Sequence, residues 1–582
     1  MAKRTDLKIP YGIADFKRIR NEGWYYVDKT EYLAKLESRD SFVFFVRPRR
    51  FGKSLFISMM QAYYDRNEKA AFEKLFGGLW IGAHPTENRN KYLVLKLDFS
   101  EVGKGADAPL DQKFDIYLST ALDLLMEANE DLFPSAFVEE CKRLPVGAKF
   151  DRVIKGAKGR GVPAYLIIDE YDNFTNSLIR ASGKEPYRSI THGTGFYRNW
   201  FKTFKASFDR IFMTGVSPVT MDDLTSGFNI AANISQDEDF NAMLGFTEEE
   251  TLALYRDFKG VGEYREGEPE EIVKSIKPWY DGYCFSSEKV GKESVFNSDM
   301  VLYHLKHLVA KGRPPENMVD RNIATDYDKL ETIVELQRQS GAQYVEDVNP
   351  LTEELAAKGE ITFRLVESFP ADEIIKPSNF RSLFHYYGIL SMADRREGRV
   401  FYRLPNACVR QQVFAYLRDS YRRVSEPDWL AWDDLAHEFA YRGAWEPFLR
   451  RVAEDFANTT PIRGSLDGEI RVQGYVQAEF GHLDDYRARA EIELGGGYSD
   501  FFLFPERIYH GGVKHSYIVE LKHSKKGASD AELAAKAEEG VGQLRRYAAD
   551  PLVPILAKDT QLHLILYQFK GTELIRLEEI PA

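Results

Sequence analysis

The sequence predicts an α/β protein with more than one domain, and three observations carry that reading. A strand-like run, SFVFFVRP at Ser41 to Pro48, leads through RRFGKS into a helical stretch, SLFISMMQAYYD. A second apolar run, AYLII, ends in three acids, Asp169, Glu170 and Asp172. Near the other end, YSDFFLFP and SYIVELKH put an Asp and a Glu-x-Lys on two apolar strands.

The whole chain sets bounds. Its 582 residues exceed one hydrophobic core, so two to four domains of roughly 100–200 residues are expected. Hydrophobic residues make up 44% and charged residues 29%, the composition of a folded globular chain and not of a disordered one. The start, MAKRTDLKIPYG, has no apolar core, so no signal peptide is expected. No apolar run approaches the roughly 20 residues that span a bilayer, so no membrane is expected. Cys141, Cys284 and Cys408 are far apart and form no CxxC pair. That suggests neither a zinc site nor a disulfide framework, and a reducing cytoplasm is the expected home. The net charge of -12 argues against a chain coated for nucleic acid. It leaves room for local basic grooves.

Taken in order, the first element is the phosphate loop. The pattern GxxxxGK[ST] would place its first glycine at position 47, where this chain has Arg47. Gly52, Lys53 and Ser54 match the end of the pattern, and the flanks supply strand then helix, as it requires. Leu55, Met59 and Tyr63 fall on one side of that helix. Backbone N–H groups and the helix N-terminus would face the phosphates of ATP. Lys53 would reach the β- and γ-phosphates, and Ser54 would ligate magnesium.

The acidic strand comes next. Active sites of open parallel sheets lie at the carboxyl ends of strands. Asp169 is placed to hold the magnesium water shell and Glu170 to polarise the attacking water. DRIFMTGVSP reads as a third strand ending in Thr214 and Ser217, which could sense the γ-phosphate or simply form a turn. YLVLKLDFS is a fourth, ending in Asp98 and Ser100.

With these residues in view, the N-terminal half resembles the AAA-ATPase-like family of bacterial and archaeal proteins, within the broader STAND-type P-loop ATPases. The resemblance rests on YYVDKTEYL, RPRRFGKSLF, LIIDEYD, MTGVSPVTM, LGFTEEE and WYDGYCF, spread over about half the chain. It implies that Arg47 is a normal feature of the loop. Arg49 and Arg50 either add charge near the phosphates or face a partner; Arg50 is taken with Gly52, Lys53, Ser54, Asp169 and Thr214 as the nucleotide-binding set. An ATPase domain is expected over residues 1–245.

The middle, 246–425, is expected to be a helical lid followed by a winged-helix-like connector. Thr247 with Glu250 reads as a capping box, and a helix starts near Asn297 or Ser298. FRSLFHYYGILSM and VFYRLPNACV suggest helices with a small hairpin, able to touch DNA or to relay motion.

The last part, 426–582, carries the second chemistry. Alternate strand residues share a side, so Glu520 and Lys522 lie on one face. Asp500 followed by Glu520-x-Lys522 is the PD-(D/E)xK pattern, with Ser499 where the proline usually stands. Asp500 and Glu520 would bind magnesium or manganese, and Lys522 would orient or activate the attacking water. Glu469, Glu479 and Glu493 are candidates for a further acid. With Gln543 and Tyr547 on the following helix, the segment resembles the PD-(D/E)xK nuclease-superfamily domain, a restriction-endonuclease-like α/β fold found at the C-terminus of this ATPase family. Lys525, Lys526, Arg545 and Arg546 read equally as solvated residues or as contacts to a DNA backbone.

The expectation is therefore an ATP- and magnesium-dependent protein acting on DNA. The resemblance implies genome defence or mobile-element control. The alternative is an ATP-dependent switch or scaffold whose nuclease-like domain binds without cutting. A homo-oligomer is left open.

Overall fold

The computed structural model describes residues 7–102, 108–172, 196–218, 232–315, 317–320 and most of 351–413 and 429–581. The chain divides into two compact units, one of residues 1–345 with 363–406 and one of 346–362 with 407–582.

The first unit is built on a parallel sheet. Its strands are β1 (Phe42–Val46), β2 (Leu93–Asp98), β3 (Ala164–Asp169), β4 (Arg210–Gly215) and β5 (Ala232–Asn233), in the order β2-β3-β4-β1-β5. Every pairing is parallel. Such a sheet is covered on both faces, which is why its strands read as unbroken apolar runs. All six residues of β3 are buried. The helix Leu110–Glu127 turns Phe114, Leu118, Leu122, Leu125 and Met126 inward at helical spacing, into a core that also holds Leu95, Leu97, Leu166 and Ile168.

Helix α1 (Lys53–Tyr64) follows β1 directly. It buries Phe56, Ile57, Met60, Ala62 and Tyr64 as well as the expected Met59 and Tyr63, so its apolar face is broader than one stripe. Leu55 is only partly covered.

The same unit contains the helix Glu248–Phe258, with a complete Thr247–Glu250 capping box, and α2 (Ser298–Lys311), capped by Asn297. Further on, the helix Pro377–Tyr386 precedes a hairpin of β6 (Ser391–Arg396) and β7 (Arg399–Arg403). The winged-helix-like reading also depends on residues 321–350 and 414–428, which lie outside the described residues.

The second unit holds a mixed sheet of β8 (Tyr486–Leu494), β9 (Gly497–Pro505), β10 (His515–Ser524), β11 (Gln561–Lys570) and β12 (Glu573–Glu579), ordered β12-β11-β10-β9-β8. Only β10 and β11 run parallel, and a parallel pair needs a crossover. The helix Asp530–Ala548 supplies it and packs Ala537, Leu544 and Tyr547 against Phe502, Ile518 and Leu566. On the other face, Phe439 stacks on Tyr517 at 4.1 Å, and Phe480 of the helix Gly468–Phe480 meets Phe501. Among the described residues, no helix is long and apolar enough to cross a membrane.

Candidate nucleotide and metal sites

The loop between β1 and α1 is shaped by its own side chains. Arg47 is 1% exposed and turned into the protein interior. Its guanidinium donates to the carbonyls of Val46 (3.0 Å), Ser235 (2.6 Å) and Phe240 (2.9 Å). It lies over the rings of Phe45 and Phe285, at 4.2 and 4.1 Å. Burial pulls its pKa down to about 9. The residue at the position of the first loop glycine is thus a buried strut. It ties the loop to the segment after β5.

Beyond Arg47 the backbone bends twice through the left-handed region, at Arg50 (φ 68°) and Gly52 (φ 96°). Gly52 adopts this without cost, whereas a side chain at that angle is strained. Gly52 is the N-cap of α1 and no side chain caps the helix. Its first N–H groups therefore point to where an anion would sit.

Lys53 is buried, and its ammonium donates to the carbonyls of Arg47 and Pro48, both at 2.9 Å. Burial lowers its pKa, and the carboxylates of Glu170, Asp169 and Asp172 oppose that. Burial raises the pKa of the Asp169 carboxylate, and the nearby Ser54 hydroxyl opposes that. Asp169 sits at the end of β3, one strand removed from β1. Glu170 follows at φ 50°, its N–H donating to Asp169 at 3.0 Å. Asp172 accepts from the N–H groups of Val216 (3.2 Å) and Ser217 (3.0 Å), so its carboxylate fastens the end of β4.

A pocket of about 350 Å³ opens over this loop. Arg50, Gly52, Lys53, Ser54 and Glu170 line it at one end; Ile13, Tyr25, Leu244 and Leu302 make an apolar wall. That is the size and character of a small-molecule site. A triphosphate fits what is there: an uncapped helix N-terminus, a buried ammonium satisfied only by its own loop, and a Ser–Asp pair able to hold magnesium. Thr214 departs from expectation. Its hydroxyl donates to the Phe45 carbonyl at 2.6 Å, it is 1% exposed, and it does not line the pocket. It joins two strands and is placed beneath the loop.

In the second unit the strand pairing brings Asp500, Glu520 and Lys522 together. Asp500 accepts from the Leu521 N–H at 2.7 Å, and the Asp500 N–H points at the Glu520 carboxylate. Glu520 is 2% exposed. One of its oxygens lies 3.1 Å from the Lys522 ammonium; the other, Oε2, is buried with no hydrogen-bond partner among the described residues. Burial raises the Glu520 pKa. Lys522 also approaches Glu539 at 3.6 Å. Gly540 lets the crossover helix press down here, since a Cβ would meet Leu566 at 2.7 Å and Lys522 at 3.2 Å. On that helix, Gln543 donates to the Tyr547 hydroxyl at 3.4 Å. The Tyr547 pKa is pushed up to about 12 by burial and by the charges of Glu520 and Asp500.

The buried, orphaned Oε2 fits a metal, because an unsatisfied carboxylate oxygen in a dry site is costly unless a cation completes it. Magnesium commonly takes one or two carboxylates and fills its remaining positions with water and substrate phosphate. Among the described residues no cluster of three or more metal-ligating side chains occurs. Of the further acids, Glu479 is 1% exposed and its charge acts on Tyr567. Tyr567 pairs with Leu521 and so faces away from Glu520, which puts Glu479 on the opposite side of the sheet. The side chains of Glu469 and Glu493 lie outside the described residues.

Comparison with known proteins agrees with this division. A family model described as "Predicted AAA-ATPase" matches residues 10–225, and one described as "PD-(D/E)XK nuclease superfamily" matches residues 468–579. The chain is 29% identical over 297 residues to the "Uncharacterized protein in vnfD 5'region" of Azotobacter chroococcum mcd 1, a match covering 49% of this chain and 50% of that protein. The chain thus spans about half the length of the curated relative it matches. The crystal structure of Cdc6p from Pyrobaculum aerophilum aligns over 69% of this chain and 95% of that one, at 10% identity and a TM-score of 0.23, too low to argue from.

Proposed function

We propose that this chain, which joins an AAA-ATPase-like domain at residues 10–225 to a PD-(D/E)XK nuclease-superfamily domain at 468–579, is a nucleotide-regulated, metal-dependent DNA endonuclease. The observation that carries the reading is the buried Glu520 with its orphaned Oε2 between Asp500 and Lys522. An ionised carboxylate oxygen left so in a dry site costs stability unless a cation completes it.

On the ATPase side, Lys53 exchanges its two loop carbonyls for the terminal phosphates of ATP. Ser54 and Asp169 hold magnesium, which neutralises phosphate charge when bound. Glu170, at the pocket's edge, orients and polarises the attacking water. Arg50 adds charge beside the phosphates.

On the nuclease side, Asp500 and Glu520 hold magnesium or manganese, which supplies Lewis-acid stabilisation of the phosphodiester when bound. Lys522 orients the attacking water and offsets the carboxylate charge. Lys525 and Lys526 after β10, and Arg545 and Arg546 on the crossover helix, are exposed. They supply sequence-independent contact with DNA phosphates. The three buried free cysteines suit a reducing cytoplasm.

We assign the ATPase to residues 1–245, a helical connector to 246–425 and the nuclease to 426–582, with nucleotide state shifting the cutter between inactive and active populations. Genome defence or control of mobile elements suits such a device. The test is the cleavage rate at saturating metal with no nucleotide, ADP, ATP and a non-hydrolysable analogue. At least a fivefold spread is expected, the lower end of typical coupling. Four equal rates, with Lys53→Ala cutting like wild type, would remove the regulatory half of the reading.

A further inference from the structure

The nucleotide pocket contains one partly buried acid that neither the loop nor the acidic strand provides. Asp299 lies in the first turn of α2 and lines the same pocket as Gly52, Lys53 and Ser54. Its side chain is 12% exposed, and its Oδ2 is buried with no hydrogen-bond partner among the described residues. The nearest cation, Arg50, stands at 3.6 Å, close enough for attraction but beyond a hydrogen bond. Its neighbour Ser298 donates to the Arg50 carbonyl at 3.2 Å, which pins the start of α2 to the loop. The start of α2 is thus pinned at the pocket wall, and Asp299 stands there paired only loosely with Arg50.

We propose that Asp299 accepts a hydrogen bond from a ribose hydroxyl, 2′ or 3′, of the bound nucleotide and so favours nucleotides that carry that hydroxyl. This rests on the nucleotide-binding reading above. The physical argument is one of elimination. A carboxylate beside the loop repels phosphate, so its partner is a neutral donor. The ribose hydroxyls are the neutral donors of a nucleotide nearest its phosphates. Arg50 offsets the carboxylate's charge and so lets it stand near a triphosphate. Carboxylates bind ribose hydroxyls in the same manner in dinucleotide sites.

The experiment measures equilibrium binding of ATP, 2′-deoxy-ATP, 3′-deoxy-ATP and 2′,3′-dideoxy-ATP to the full chain, as wild type, Asp299→Asn and Asp299→Ala. Wild type should bind ATP about tenfold or more tighter than the dideoxy analogue, the worth of one hydrogen bond to a charged acceptor. Asp299→Ala should reduce that ratio to near one, and Asp299→Asn, which keeps an acceptor, should fall between. The wild-type comparison needs no variant to fold. Equal binding of ATP and its dideoxy analogue by wild type would overturn the proposal, as would an undiminished ratio in Asp299→Ala. Failure of wild type to bind ATP at all would overturn the nucleotide reading itself, and this proposal with it.

Discussion

Replacing Glu520 by Gln separates a metal site from a structural acid without any need for cleavage. Two effects oppose each other when no metal is present. An unsatisfied buried carboxylate oxygen costs about 1–3 kcal/mol, and the substitution removes that charge. The same substitution weakens the 3.1 Å contact with Lys522, because an amide oxygen still accepts there but without charge; the lysine side chain is 13% exposed and so is little screened. A buried hydrogen bond between charged groups contributes about 1.5–3 kcal/mol. The two nearly cancel, so the metal-free variant should match wild type within about 1 kcal/mol. Metal changes the comparison. A ligand at 100 times its Kd stabilises the state that binds it by about 2.7 kcal/mol. For a unit of this size that is a rise of roughly 5–10 °C in Tm. The assay is thermal unfolding of the full chain with magnesium, with manganese and with chelator, following the transition of the nuclease unit. Wild type should gain and Glu520→Gln should not. Equal gains in both proteins, or a metal-free variant several kcal/mol less stable than wild type, would refute the argument that Glu520 is held ready for a cation.

Three further outcomes follow from the first unit. Lys53→Ala should weaken ATP binding by about 10- to 100-fold, the worth of a charge-assisted contact, while Glu170→Gln should keep binding and slow hydrolysis; equal ATP affinity in wild type and Lys53→Ala would count against the loop. Arg47→Ala strands the carbonyls of Val46, Ser235 and Phe240, so hydrogen exchange should accelerate at 235–240, and unchanged protection there would contradict the strut. His304 and His385 are held neutral by burial, with pKa values of about 3 and about 4 against an ordinary 6.5. The unfolded chain takes up those protons first. The stability they contribute is complete above about pH 6.5 and is lost as pH falls toward 4, by about 1.4 kcal/mol per pH unit for each. Urea unfolding between pH 7 and 4 should show this slope, and a His304→Gln, His385→Gln double variant should flatten it.

The sequence made some of this legible for identifiable reasons. Strand alternation alone put Glu520 and Lys522 on one face, and the two apolar strands carrying Asp500 and Glu520 do pair. Strand, loop and helix around Lys53, and the acids ending β3, follow from local patterns that need no distant partner. What stayed hidden depends on residues far away in the chain. Arg47 looked like a substitution within a phosphate loop, yet its partners are carbonyls at 235 and 240. Thr214 looked like a phosphate sensor, but its hydroxyl goes to Phe45 on the neighbouring strand. Asp299 belongs to a helix some 245 residues beyond the loop it faces, and an N-terminal Asp reads in sequence as ordinary helix capping.

The central claim is that the C-terminal unit cuts a phosphodiester with a metal held by Asp500 and Glu520. Its most direct test is cleavage of linear, nicked, branched and single-stranded DNA by the purified chain in magnesium or manganese, as wild type, Asp500→Ala and Glu520→Ala. Wild type should cut at least one substrate in a chelator-sensitive reaction, and each variant should lose that cutting while its ATP turnover stays near wild type. Cleavage that persists in both variants, or a wild type that binds these substrates and cuts none with either metal, would contradict the account.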